Sequence, residues 1–319
     1  MPVTGHRIVV VGGAGLVGSA VARALADTDH GLDVVVCDRL GAARDGKWRA
    51  LPARLDDLWQ PEDLAARLEA TWRSVAAVVV MADTGEGPDA DALFAGLFHL
   101  RRRLYDFASA RQRPLVWASS LQVYGAGPAA PDADVAALAA LKPLSAFGRA
   151  CQAFDLFAAR NRTTADAPPV LAGLRLASVY GAHEQHKGAG ASLPVRALAA
   201  VRAGEPVALW RSTDPAVVDG GHARDWVHAD DAGAMAAAVI RAGVSGFFDI
   251  GSGVAVSAHE VVRAAARAAG REGRMVFTEP PPEAALIVPP ADLAALRAAG
   301  IEPQLRSLDE GLAALSAAP

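Results

Sequence analysis

The stretch Val9-Val10-Val11-Gly12-Gly13-Ala14-Gly15-Leu16-Val17-Gly18 decides the fold. A run of valines reads as a buried strand, and glycines at 12, 15 and 18 follow it in GxxGxxG spacing, opening a helix. Gly12 permits a tight turn, Gly15 lets a pyrophosphate approach the backbone at the positive helix N-terminus, and Gly18 allows close helix–strand packing. Leu16 and Val17 complete this cofactor-binding turn. Asp38 ends the next strand, 20 residues after Gly18 (38 − 18), where a carboxylate accepts hydrogen bonds from an adenosine ribose. Arg39 and Lys47 are placed to hold a 2′-phosphate instead, so NAD and NADP both stay open. Asp57, expected after the third strand, is placed to meet the adenine or equally to cap the helix before Pro61.

Outward from this turn, short apolar runs at Arg7–Val11, Asp33–Cys37, Val75–Met81, Pro114–Ala118 and Leu171–Leu176 alternate with helical stretches. Those stretches are Leu16–Ala26, Pro61–Ala70, Ala90–Arg111 and Leu144–Arg160. Apolar runs without polar alternation read as strands buried on both faces. Strand–helix alternation then implies a doubly wound parallel sheet of Rossmann type. After Tyr180 the rhythm breaks into Gly-, His- and Pro-rich loops with short strands at Val207–Trp210, Arg224–His228 and Gly246–Ile250. Ser257 with Glu260 forms a capping box. The expected division is a dinucleotide-binding domain over 1–178, to which 222–255 returns, and a smaller α/β substrate lobe from 179–221 and 256–319. Pro280–Pro290 is a proline-rich connector.

Composition narrows the class. The 319 residues carry a net charge of −4, with 52% hydrophobic and 21% charged residues, which fits a folded globular chain and no nucleic-acid partner. Arg101, Arg102 and Arg103 form the one dense basic run, read as a solvated helix face. Two cysteines, Cys37 and Cys151, give neither a disulfide framework nor a zinc site, so a cytoplasmic setting is expected. Val75–Ala82 is far shorter than the roughly 18 residues a membrane span needs, and Met1–Arg7 has no signal-peptide core. Lysine occurs only at 47, 142 and 187, and tyrosine only at 105, 124 and 180.

With these residues assembled, the chain resembles the extended short-chain dehydrogenase/reductases, and among them the ADP-L-glycero-D-manno-heptose 6-epimerases. The resemblance rests on the glycine turn, Ala118-Ser119-Ser120 with Val123-Tyr124-Gly125, Val179-Tyr180-Gly181 with His186-Lys187-Gly188, and Arg224-Asp225-Trp226-Val227-His228 with Asp230. It implies a tightly held NAD or NADP, a nucleotide-diphosphate-sugar substrate and self-association as a homo-oligomer. It also implies a Ser-Tyr-Lys set with YxxxK on one helix face, where the ammonium lowers the phenol's pKa. The serine falls on Ser120, but the tyrosine position falls on Phe147 and the lysine position on Cys151. No tyrosine in the chain has a lysine four residues on. Val80-Met81-Ala82-Asp83 likewise replaces a His-x-Ala-Ala stretch, with Met81 and Ala82 at the cofactor.

The same resemblance makes Lys187 a second base facing the sugar, against a plain diphosphate or solvent contact. Arg224 would face the substrate diphosphate, against a salt bridge to Asp225 or Asp230. Ser178 and Ser192 are expected at the sugar, and His183, Glu184 and His186 in the sugar pocket or its loop. The histidines at 183 and 186 lack HExxH spacing, so no metal is expected. Two functions follow: a nucleotide-sugar epimerase-type enzyme with atypical proton transfer, or a catalytically silent protein that binds dinucleotide and nucleotide sugar.

Overall fold

Residues 5–27, 31–41, 46–82, 89–130, 134–280 and 288–317 are described by the computed structural model, with the side chains of Gln185 and Ala189 left aside. Asp83 and most of the 280–290 connector lie outside them. The valine-rich runs form one parallel sheet: β1 (Arg7–Val11), β2 (Asp33–Cys37), β3 (Asp57–Trp59), β4 (Val75–Val80), β5 (Leu115–Ser120), β6 (Leu171–Leu176) and β10 (Gly246–Ile250). Their spatial order is β3-β2-β1-β4-β5-β6-β10, and each neighbouring pair is parallel. The order reverses between β1 and β4, the switch point where open α/β sheets bind ligands.

Strand side chains alternate between two cores. Ile8, Val10, Val34, Val36 and Val79 face α1 (Leu16–Ala26) and α7 (Ala229–Ala242). Val9, Val11, Val35, Val78 and Val80 face α2 (Leu64–Thr71), α3 (Ala90–Arg111) and α5 (Ala146–Asn161), with the short α4 (Val135–Ala140) beside α5. Each fully buried valine or leucine stabilises the fold by about 1.5–3 kcal/mol, which is why unbroken apolar strands are required. Helices α1 and α7 approach closely at Gly233, where a Cβ would lie 2.6 Å from the Ala20 backbone. Arg23 and Asp230 pair across the same seam at 2.8 Å.

The smaller lobe holds two minor sheets, β7 (Ser178–Tyr180) with β9 (Ala223–His228) and β11 (Ala255–Ser257), and β8 (Val207–Trp210) with β12 (Met275–Thr278). Helices α6 (Leu193–Ala203), α8 (Ala258–Ala269) and α10 (Leu308–Ala317) close a third core around Leu198, Leu209, Val261 and Leu312, while α9 (Ala294–Ala298) packs on the main sheet's first core. Half of the expected capping box is present: Ser257 Oγ accepts from Glu260 N, while the Glu260 carboxylate pairs with Arg263 and Arg267.

Several boundaries move. Within 222–255 only α7 and β10 return to the main sheet, because β9 pairs with β7 and β11. Helix α5 starts at Ala146, since Ser145 Oγ accepts from Gly148 N at 3.0 Å and caps it. Asp57 begins β3 rather than following it. No helix among the described residues is long and apolar enough to cross a membrane.

A buried polar network crosses the sheet under its carboxyl edge. Arg175, fully buried on β6, donates to Asp155 at 3.1 Å and to the Tyr124 hydroxyl at 2.8 Å. Asp155 also accepts from Trp117 Nε1 and Ser119 Oγ, each at 3.0 Å. Tyr124 donates in turn to Asp249 at 2.7 Å, and Asp249 accepts from Asp292 N at 3.0 Å.

Burial pushes the Asp249 carboxyl up to about 6 from an ordinary 3.8. The folded chain therefore holds this proton more tightly than the unfolded chain. That stabilisation is full below about pH 4 and is lost as pH rises through about 6. Urea titrations from pH 4 to 7 should show wild-type stability falling by about 2–3 kcal/mol relative to Asp249→Asn. Parallel pH profiles for the two proteins would contradict this.

Candidate active site

Over the carboxyl ends of β1, β4 and β5 lies a cavity of about 1060 Å³. Leu16, Val17, Met81, Ala82, Ala118 and Ser120 line its sheet side. Lys187, Ser192, Trp210, His222 and Arg224 line its lobe side. One space therefore joins the glycine turn to the smaller lobe.

The three turn glycines have different reasons to be glycine. Gly12 has φ +80°, and a Cβ on it would meet Ala82 N and Cα at 2.4 Å. A Cβ on Gly18 would meet Gly12 O at 2.0 Å. At Gly15 the nearest atom, Gly12 O, is 3.4 Å away, so the protein's own packing does not demand glycine there. Gly15 is also the N-cap of α1 and brings no capping side chain to the helix's first N–H groups. Open room above a positive helix terminus fits a bound pyrophosphate.

Asp38 is fixed at this turn. Its Oδ2 accepts from Ala14 N at 2.8 Å, and its Oδ1 accepts from Arg39 N at 2.7 Å and lies 3.4 Å from Lys47 Nζ. The Arg39 guanidinium turns away to pair with Glu62 at the surface. Asp57 accepts from its own strand, from Leu58 N at 2.8 Å and Trp59 Nε1 at 2.7 Å.

On α5, Phe147 lines the cavity and offers no oxygen. Cys151, one turn later, is fully buried in the first core. Against its Sγ stands Arg101 Nη1 at 3.7 Å, with the Arg101 side chain also on the cavity wall. Arg101 is only 2% exposed, which overturns its reading as part of a solvated face. It occupies the apolar stripe Leu97–Arg101–Leu104–Ala108 of α3, whereas Arg102 pairs outward with Asp106 at 2.9 Å. The position of Arg101 at i+4 from Leu97 was the available signal. None of Tyr105, Tyr124 and Tyr180 lines the cavity; burial pushes all three hydroxyls up. Ser120 lines it while its Oγ accepts from Gln122 N at 3.2 Å, capping the 3-10 turn Leu121–Tyr124.

Glu184 organises the lobe side. Its buried carboxylate accepts from Gly181 N at 3.0 Å, Ser192 N at 2.7 Å and Ser192 Oγ at 2.8 Å, and pairs with Lys187 Nζ at 3.3 Å. This hub folds 181–192 into a loop that turns Lys187 and Ser192 to the cavity. His183 and His186 do not line it and stay in the loop, the second of their two expected placements. The compact turn instead sets His186 Nδ1 3.0 Å from His183 O, and His183 takes a φ of 70°. Burial holds the His183 imidazole below its ordinary value.

Arg224 reaches the cavity without a carboxylate among the described residues. Asp225 is taken up by Ser252, Gly253 N and Ala291 N, and Asp230 by Arg23. Burial alone lowers the affinity of the Arg224 guanidinium for its proton. The salt-bridge alternative therefore fails, and a fork of donors faces the cavity. Ser178 lines the wall beside it. No group of three metal-ligating side chains occurs among the described residues. Sequence reasoning missed Arg101, the hub role of Glu184, and the cavity positions of Arg196, Trp210 and His222.

Comparison with known proteins agrees with this geometry. Residues 8–251 match the model of the NAD dependent epimerase/dehydratase family. The chain is 32% identical over 281 residues to ADP-L-glycero-D-manno-heptose-6-epimerase of Nitratidesulfovibrio vulgaris strain DP4, covering 86% of this chain and 84% of that protein. The structure of Thermus thermophilus UDP-glucose 4-epimerase in complex with NAD superposes with a TM-score of 0.78 at 25% identity, over 96% of both chains. Helicobacter pylori ADP-L-glycero-D-manno-heptose-6-epimerase gives the same TM-score at 22% identity over 97% of this chain and 95% of that one, a likeness of fold.

The glycines predict two different phenotypes. Gly15→Ala should leave the melting temperature within about 2 °C of wild type yet weaken dinucleotide binding by at least about tenfold, because its Cβ fills the open room. Gly18→Ala should lose about 1–3 kcal/mol of stability through the clash with Gly12 O. Calorimetric melting and titration check both; normal dinucleotide affinity in Gly15→Ala would contradict the cradle.

Proposed function

Because the chain belongs to the NAD dependent epimerase/dehydratase family, we propose that it holds a dinucleotide and a nucleoside-diphosphate sugar in one cavity and epimerises the sugar, with Lys187 exchanging the proton. The observation that carries this reading is the single cavity running from the glycine turn to Lys187 and the uncompensated Arg224. When bound, the dinucleotide supplies reversible hydride transfer.

NAD is the better fit than NADP. The Asp38 carboxylate sits at the turn where the ribose hydroxyls bind, Arg39 is turned to Glu62, and Lys47 is already paired with Asp38. The Arg224 fork suits a diphosphate, which offers paired anionic oxygens. A heptose on ADP follows the relative at 32% identity, with which the His186-Lys187-Gly188 segment agrees.

Phe147 keeps an aromatic wall and cannot move a proton. Lys187 is the cavity's remaining lysine, and the buried Glu184 carboxylate steadies its Nζ there. It can take the proton of a sugar hydroxyl as the carbon is oxidised and return it as the carbon is reduced, one group serving both halves of the exchange. Phe147 and Cys151 favour a second reading, a silent binder of the same two ligands.

Purified protein with NAD and ADP-heptose in deuterated water separates the two readings by NMR of the product. The inverted epimer should appear, with NAD binding more tightly than NADP. Lys187→Met should lower turnover by about 10²–10⁴-fold at unchanged NAD affinity. Tight binding without turnover or label across a panel of ADP-, GDP- and UDP-sugars would replace the enzyme with the silent binder. Equal rates for Lys187→Met and wild type would refute the role of Lys187.

A further inference from the structure

We propose that Arg101 is a fixed cation of the dinucleotide site, whose charge makes the cavity bind the reduced dinucleotide in preference to the oxidised one. This rests on the reading that the cavity holds a nicotinamide dinucleotide. Three observations support it.

Arg101 projects from the apolar stripe of α3, 2% exposed and lining the cavity. Its contacts leave the charge uncompensated: Nη1 meets the Cys151 sulfur at 3.7 Å, Nε has no partner, and no carboxylate pairs with it among the described residues. Such a charge keeps its field, because little water reaches it and no carboxylate among the described residues neutralises it.

Topology places this charge at one end of the ligand. Asp38, at the carboxyl end of β2, marks the adenosine side of the switch point. The dinucleotide crosses the glycine turn, so its nicotinamide half runs to the opposite side, over β4 and β5. Met81, Ala118, Ser120 and Phe147 line the cavity there, together with Arg101.

The short side chain at 151 makes this arrangement possible. A lysine at 151 would set a second cation where the guanidinium now lies against the sulfur, so Cys151 and a buried Arg101 belong together. The positive charge thus enters from α3 instead of α5. Oxidised nicotinamide is a cation and reduced nicotinamide is neutral. A nearby buried positive charge disfavours the first and leaves the second nearly untouched.

Titration of the full chain with NAD+ and with NADH, followed by calorimetry, tests this without turnover. Wild type should bind NADH about tenfold more tightly than NAD+. Arg101→Met should bring the two affinities together by strengthening NAD+, and Arg101→Lys should keep most of the difference. Cys151→Asp, which places a carboxylate directly against the guanidinium, should collapse the preference even if Arg101→Met does not fold. An unchanged ratio in Arg101→Met or Cys151→Asp, or an equal weakening of both ligands, would overturn the proposal. If wild type binds neither form, the dinucleotide reading of the cavity falls, and this assignment with it.

Discussion

The contact on which the site's frame depends is the buried ion pair of Arg175 and Asp155. Both charges are out of water, and removing one partner of such a pair typically costs about 3–5 kcal/mol, because the other stays buried and unpaired. Satisfying them recruits Trp117 and Ser119 from β5, Tyr124 from the turn after it, and through Tyr124 the Asp249 carboxyl on β10. The carboxyl ends of β5, β6 and β10 are thereby fixed relative to α5. Ser120 and Phe147 hang from that frame, so the sheet wall of the cavity is set from beneath. Tyr124, held between a guanidinium and a carboxyl, is thereby committed to structure.

A second constraint acts from the other side. The Glu184 carboxylate gathers three donors of the 181–192 loop and Lys187, much as the Arg175 network gathers the strands. Between these two supports the cavity opens, with Arg101 on one wall and Arg224 on the other. Both cations lack a carboxylate among the described residues, and a cavity with two such walls is built for anionic or hydroxyl-rich ligands.

Much of this was legible in the sequence. The sheet was, because valines buried on both faces leave no alternation to misread, and the glycine turn was, because its spacing serves a single geometry. That no tyrosine has a lysine four residues on was legible from the positions of three tyrosines and three lysines alone. Less was visible where function depends on long-range partners. Arg101 looked solvated beside Arg102 and Arg103, although its spacing from Leu97 and Leu104 places it on the buried stripe. His183 and His186 read as residues of the pocket or its loop, and only the Glu184 hub, which turns Lys187 and Ser192 inward, decides between them. Neither β9's place in the minor sheet nor the Arg175 network has a local signature, since both join residues far apart in the chain.

The proposed function requires one cavity to hold two ligands, with Arg224 meeting the nucleoside diphosphate. Calorimetric titration of ADP into the NAD-loaded protein measures this directly, with Arg224→Met alongside. ADP should bind the wild type, and Arg224→Met should weaken it by at least about tenfold while NAD affinity stays the same. Equal ADP affinity in the two proteins, or no ADP binding to wild type at millimolar concentration, would contradict it.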